Sequence, residues 1–104
     1  MYRFKSKADG DLIMMDPVGD QILRILGRDP AAKGIIEVAA LPDAIRALEE
    51  AIAAAELVRR DARRSDDDED GQGAEAVGLA QRAWPMLEMM RRSLAERADI
   101  VWGV

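Results

Sequence analysis

The sequence predicts an α+β fold in which two or three helices cover one face of a small, mainly antiparallel sheet. Three observations carry this reading. Basic residues at Arg3, Lys5 and Lys7 alternate with Tyr2, Phe4 and Ser6, the period of a half-buried strand. Leu41, Ile45, Leu48, Ile52 and Ala55 recur at alternating intervals of four and three, the stripe of an amphipathic helix. Ile100-Val101-Trp102-Gly103-Val104 has the β-branched and aromatic content of a strand.

Taken in order, Tyr2 and Phe4 share one face of the first strand, and Arg3, Lys5 and Lys7 the other. Asp9-Gly10-Asp11 supplies a turn signal, and Leu12-Ile13-Met14-Met15 reads as the hairpin partner, more apolar and so more central. Asp16-Pro17 looks like a cap followed by proline at the first helical position, where its missing N–H costs nothing. Val18, Ile22, Ile25 and Leu26 then repeat at helical spacing, Gly27 offers a left-handed cap and Pro30 forbids continuation, which bounds a first helix at about 17–26. Gly34-Ile35-Ile36-Glu37-Val38 suits a short strand.

The second helix runs from Leu41 to about Arg60. Residues 65–75 collect acids and glycines with almost nothing to bury, which predicts a mobile acidic loop. A third helix, roughly 75–97 or starting as late as Trp84, carries Leu79, Ala83, Met86, Met90 and Leu94 on one stripe, with Pro85 inside it. The C-terminal strand docks beside the hairpin. The order is ββα(β)ααβ in a single domain spanning 1–104.

Composition narrows the function classes. A chain of 104 residues that is 49% apolar supports one core and not two. Net charge −5 argues against nucleic acid, whose affinity comes from neutralising phosphates. There is no cysteine and no histidine, which removes disulfides, thiol nucleophiles, and imidazole bases and ligands. No apolar run suits a signal peptide or a membrane span, so the expected setting is the cytoplasm, with no membrane partner.

Five groups of residues invite a functional reading. Asp66, Asp68, Asp70 and Gly71 match the opening of a calcium loop, but Val77 stands where a bidentate glutamate belongs and Gly73 where an apolar anchor does. A solvated acidic loop is the plainer reading, and a divalent-cation site the alternative. Arg59, Arg60, Arg63 and Arg64 complement the C-terminal dipole of the second helix and the acids that follow; Arg91 and Arg92 add little without a shared face. Asp9, Asp11, Asp16 and Asp20 are acids enough for a carboxylate-based enzyme, yet each has a structural job at hand: turn, cap or helix start. Met86 and Met90 read as core, which leaves Met89 beside Trp84 and Trp102 as the candidate anchors for a protein partner. Gly71, Gly73 and Gly78 lack the last glycine of a dinucleotide loop, and no cofactor is implied.

Phe4-Lys5-Ser6-Lys7, Asp11-Leu12-Ile13-Met14, the Gly19-to-Gly27 segment, Gly34-Ile35-Ile36, Arg82-Ala83-Trp84-Pro85 and Val101-Trp102-Gly103-Val104 together resemble the bacterial family called domain of unknown function 1840. The resemblance covers nearly the whole chain and implies no activity and no active site. The expected function is a non-catalytic protein-interaction or self-associating module, with an unknown protein or a second copy as partner.

Overall fold

The computed structural model describes residues 1–64 and 72–103. Strands β1 (Tyr2–Ser6), β2 (Asp9–Met14), β3 (Gly34–Ile36) and β4 (Ile100–Trp102) form one antiparallel sheet in the order β2-β1-β4-β3. Helices α1 (Asp16–Ile25), α2 (Leu41–Arg64) and α3 (Gln72–Ala95) all pack on the same face of it. The predicted α+β class and the element order therefore stand.

The hairpin differs from the expectation in two ways. Its turn is Lys7-Ala8, not Asp9-Gly10, because Ser6 pairs with Asp9 and the Ser6 hydroxyl accepts the Ala8 N–H at 3.2 Å. Phe4 pairs with Leu12 and Ser6 with Asp9, so Lys5 alone stands opposite both Gly10 and Asp11. That extra residue is a β-bulge, and Gly10 serves it instead of a turn. The bulge also shifts the side-chain phase: Asp9 faces the helices, where Arg92 donates to both of its carboxylate oxygens at 3.1 Å. Second, β2 is an edge strand despite its apolar sequence. The central places go to β1 and β4, whose aromatic residues need helices above them.

On the helix-facing side, Tyr2, Phe4 and Trp102 form an aromatic row. The Phe4 ring lies 5.8 Å from that of Tyr2, nearly parallel, and 5.6 Å from that of Trp102, tilted. Tyr2 packs over Gly19 of α1, where a Cβ would come within 2.0 Å of the ring. Trp102 donates its indole N–H to the Ala31 carbonyl at 3.0 Å.

Helix α1 begins one residue early, with Met15 as its extended N-cap and no side chain capping it. Asp16, expected as the cap, lies in the first turn and pairs with the terminal amine of Met1. The helix ends as anticipated: Gly27 takes φ 79°, its N–H bonds the Arg24 carbonyl, and Arg28 N–H bonds the Leu23 carbonyl, a Schellman closure. Helix α3 ends in the same pattern, with Arg97 N–H to the Leu94 carbonyl and Ala98 N–H to that of Ser93. There the left-handed residue, at φ 54°, is Arg97.

Helix α2 continues to Arg64, past the expected Arg60. Helix α3 starts at Gln72, so residues 72–75 of the expected loop are helical, and residues 65–71 lie outside the described residues. Helix α3 runs back along α2, with an Arg91–Glu49 bond of 2.8 Å across them, and continues through Pro85. In contact with both α2 and the sheet, it buries a wide stripe: Met86, Leu87, Met89, Met90 and Ser93.

Candidate functional site

Because every helix packs on one side, the other face of the sheet is uncovered among the described residues. Alternation along each strand decides what it displays. Arg3 and Lys5 of β1, Ile13 of β2, Val101 of β4 and Ile35 of β3 all point outward, opposite to Phe4, Met14, Trp102 and Ile36. The registers put Arg3 beside Ile13 and run Lys5, Val101 and Ile35 in one row across three strands. Ile13 is 52% exposed and Ile35 is also exposed, an unusual display for isoleucines.

A shallow groove of about 470 Å³ continues this face at the hairpin end, lined by Lys5, Ser6, Lys7, Arg97, Ala98, Asp99 and Val101. Its one carboxylate, on Asp99, accepts the Val38 backbone N–H at 2.9 Å. In a chain of net charge −5, Arg3, Lys5, Lys7 and Arg97 outnumber the carboxylates of Asp99 and Asp11 on this side of the sheet and leave it locally cationic, seeded with aliphatic side chains. Such a surface attracts anions and buries apolar groups. It holds no nucleophile activated by a base.

The four N-terminal carboxylates do not converge. Asp9 pairs with Arg92, Asp16 with the terminal amine, and Asp20 accepts the Tyr2 phenol, while Asp11 has no partner among the described residues. The Asp20 bond, then burial, push the Tyr2 phenol up to about 12, which holds its proton in place. Ser6 and Ser93 meet, hydroxyl to hydroxyl at 2.7 Å, where β1 crosses α3. This pair satisfies two polar groups at a buried seam, and the carboxylate of Asp9, the register partner of Ser6, is taken up by Arg92.

Of the expected anchors, only Trp84 is on the surface, 51% exposed, with the Arg91 guanidinium 5.6 Å above its ring. Met89, at 1% exposure, belongs to the core, because α3 needs a stripe wide enough for two neighbours. Trp102, at 2%, closes the aromatic row and is no surface anchor. Asp66, Asp68 and Asp70 lie outside the described residues, as do the side chains of Arg59, Arg60, Arg63 and Arg64. Among the described residues, no group of three or more acids is placed to hold a metal, and no helix is long and apolar enough to cross a membrane.

Comparison with known proteins is consistent with the motifs that this geometry explains. The sequence matches the family model described as Domain of unknown function (DUF1840) over residues 1–102. The chain belongs to that family. Neither a curated protein nor a solved structure gave a significant match. Three glycines of the sequence motifs serve packing: Gly34 lies under Trp102, Gly19 under Tyr2, and Gly103, at φ 75°, follows Trp102 against the Ala32 carbonyl. Sequence reading separated Arg3, Lys5 and Lys7 onto one strand face. It missed Arg97, Val101 and Ile35 because only the sheet order brings them alongside.

Proposed function

We propose that this chain is a non-catalytic protein-interaction module of the cytoplasm, whose uncovered sheet face receives an acidic, partly apolar segment of a partner protein. The supporting observation is the row Lys5, Val101, Ile35 with Arg3 and Ile13 beside it: aliphatic groups interleaved with cations on a face no helix covers. Apolar burial supplies the affinity of such a contact, and complementary charge supplies its orientation and on-rate. The same cations disfavour stacking two copies face to face. The absence of cysteine suits a reducing compartment.

The test is site-specific photo-crosslinking in cells from residue 35, with residue 57 of α2 as an exposed control position away from the face. The expected result is a partner captured from 35 and not from 57, joined through an acidic stretch and lost when Arg3→Glu and Lys7→Glu are combined. Equal capture from both positions, or capture that survives the charge reversal, would sink the reading.

A further inference from the structure

The sheet has two edges of unequal length. β3 spans three residues, whereas β2 spans six and has no strand on its outer side. An edge of this length offers unpaired backbone N–H and C=O groups to any extended chain. The bulge at Gly10–Asp11 disrupts it at one end only, leaving Leu12–Met14 regular.

Beside that regular end lies a half-open pocket of about 290 Å³, lined by Leu12, Ile13, Met14 and Met15, by Val18 of α1 and by Arg82 and Pro85 of α3. Its walls are apolar apart from one guanidinium. Arg82 has no carboxylate and no hydrogen-bond acceptor among the described residues. Pro85 has no N–H to give the Gln81 carbonyl one turn before it, so that acceptor lacks its usual helical donor. A cation without a partner at the mouth of an apolar pocket, next to an open strand edge, fits a ligand with three properties: extended backbone, an apolar side chain and a carboxylate.

We propose that the β2 edge receives an extended segment of a partner protein that adds as a further strand, sets an apolar side chain in this pocket and places an Asp or Glu against Arg82. Strand addition draws affinity from main-chain bonds and selectivity from pockets for alternate side chains. The pocket supplies one such selection and Arg82 the other. Antiparallel pairing of β2 with itself would set the bulged Gly10–Asp11 pair of each copy against the pocket end of the other, so a second copy is the poorer occupant. The site shares Ile13 with the open face but otherwise uses the edge and the helix-facing side.

The experiment is selection of displayed random decapeptides on the intact chain and on its Arg82→Glu variant. The chain should enrich segments that pair an apolar residue with an acid, and Arg82→Glu should exchange the acid for a base. A selected peptide, made synthetically, should bind Arg82→Gln about tenfold more weakly, and should shift backbone amide resonances of residues 9–15. Arg82 is exposed, so both variants retain the fold. Failure to enrich a motif, an unchanged motif with Arg82→Glu, or shifts confined to other strands would each overturn the proposal. So would a concentration-dependent dimer abolished by Ile13→Lys, which would assign the edge to a second copy. Crosslinks from residue 35 that persist in Arg82→Glu separate this result from that for the open face.

Discussion

Trp102 covers Gly34. The two are register partners on β4 and β3, and a Cβ placed on Gly34 would stand 2.3 Å from Cζ2 of the indole. The ring has no room to retreat, since it is buried against Phe4 and held by its bond to the Ala31 carbonyl. Gly34→Ala is therefore expected to cost about 1–3 kcal/mol through overpacking. Urea denaturation measures this. A loss below about 0.5 kcal/mol would show that the ring moves freely.

A change in the opposite direction is expected at Arg97. Its φ of 54° closes α3 in a conformation that side chains resist, and its carbon skeleton makes no bond that requires it there. Arg97→Gly should raise stability by about 0.5–1 kcal/mol. The thermal midpoint reads the gain, and a decrease would mean that Arg97 holds its groove together.

The Tyr2 phenol gives the fold an alkaline limit. Its pKa is raised from 10.0 to about 12 in the folded state, first by the bond to Asp20. A group with a raised folded pKa contributes fully below its unfolded value, so this contribution is present below pH 10 and fades as pH climbs toward 12. Melting curves of the chain and of Tyr2→Phe should converge across that window. Parallel curves would show that Asp20 does not discriminate between phenol and phenolate.

Met89 and Trp84 separate core from surface on one helix. Met89→Asp buries a charge with no partner and should abolish cooperative unfolding. Trp84→Ala removes a half-exposed ring and its stacking with Arg91, and is expected to cost about 1 kcal/mol or less. Circular dichroism melts of the two variants check the contrast.

These contrasts mark how far the sequence could be read. Periodicity identified the three α-helices, because Leu41 to Ala55 and Leu79 to Leu94 repeat regardless of what they pack against, but not the 3-10 turn at Val38–Ala40, where a strand was expected to run on to Val38. It found both hairpin strands and the C-terminal strand for the same reason. What it could not reach depended on neighbours distant in the chain. The apolar content of Leu12 to Met15 suggested a central strand, yet the centre belongs to whichever strands carry the aromatic row. Met89 looked like a candidate for the surface because one stripe suffices for a helix with one neighbour, whereas α3 has two. Arg82 and Pro85 gave no sign of a pocket, since Val18 and Met15 reach it from elements some seventy residues earlier.

The placement of β1 and β4 at the centre of the sheet also dictates when the protein can fold. Phe4 must find Trp102, and the strands on either side depend on that meeting. During synthesis, the hairpin of β1 and β2 emerges first and waits with one side of β1 open until residues 100–102 have left the ribosome. Closing so long a loop late makes the sheet a slow, end-dependent step, and leaves the nascent hairpin a temporary client for whatever shields unpaired strands in the cell.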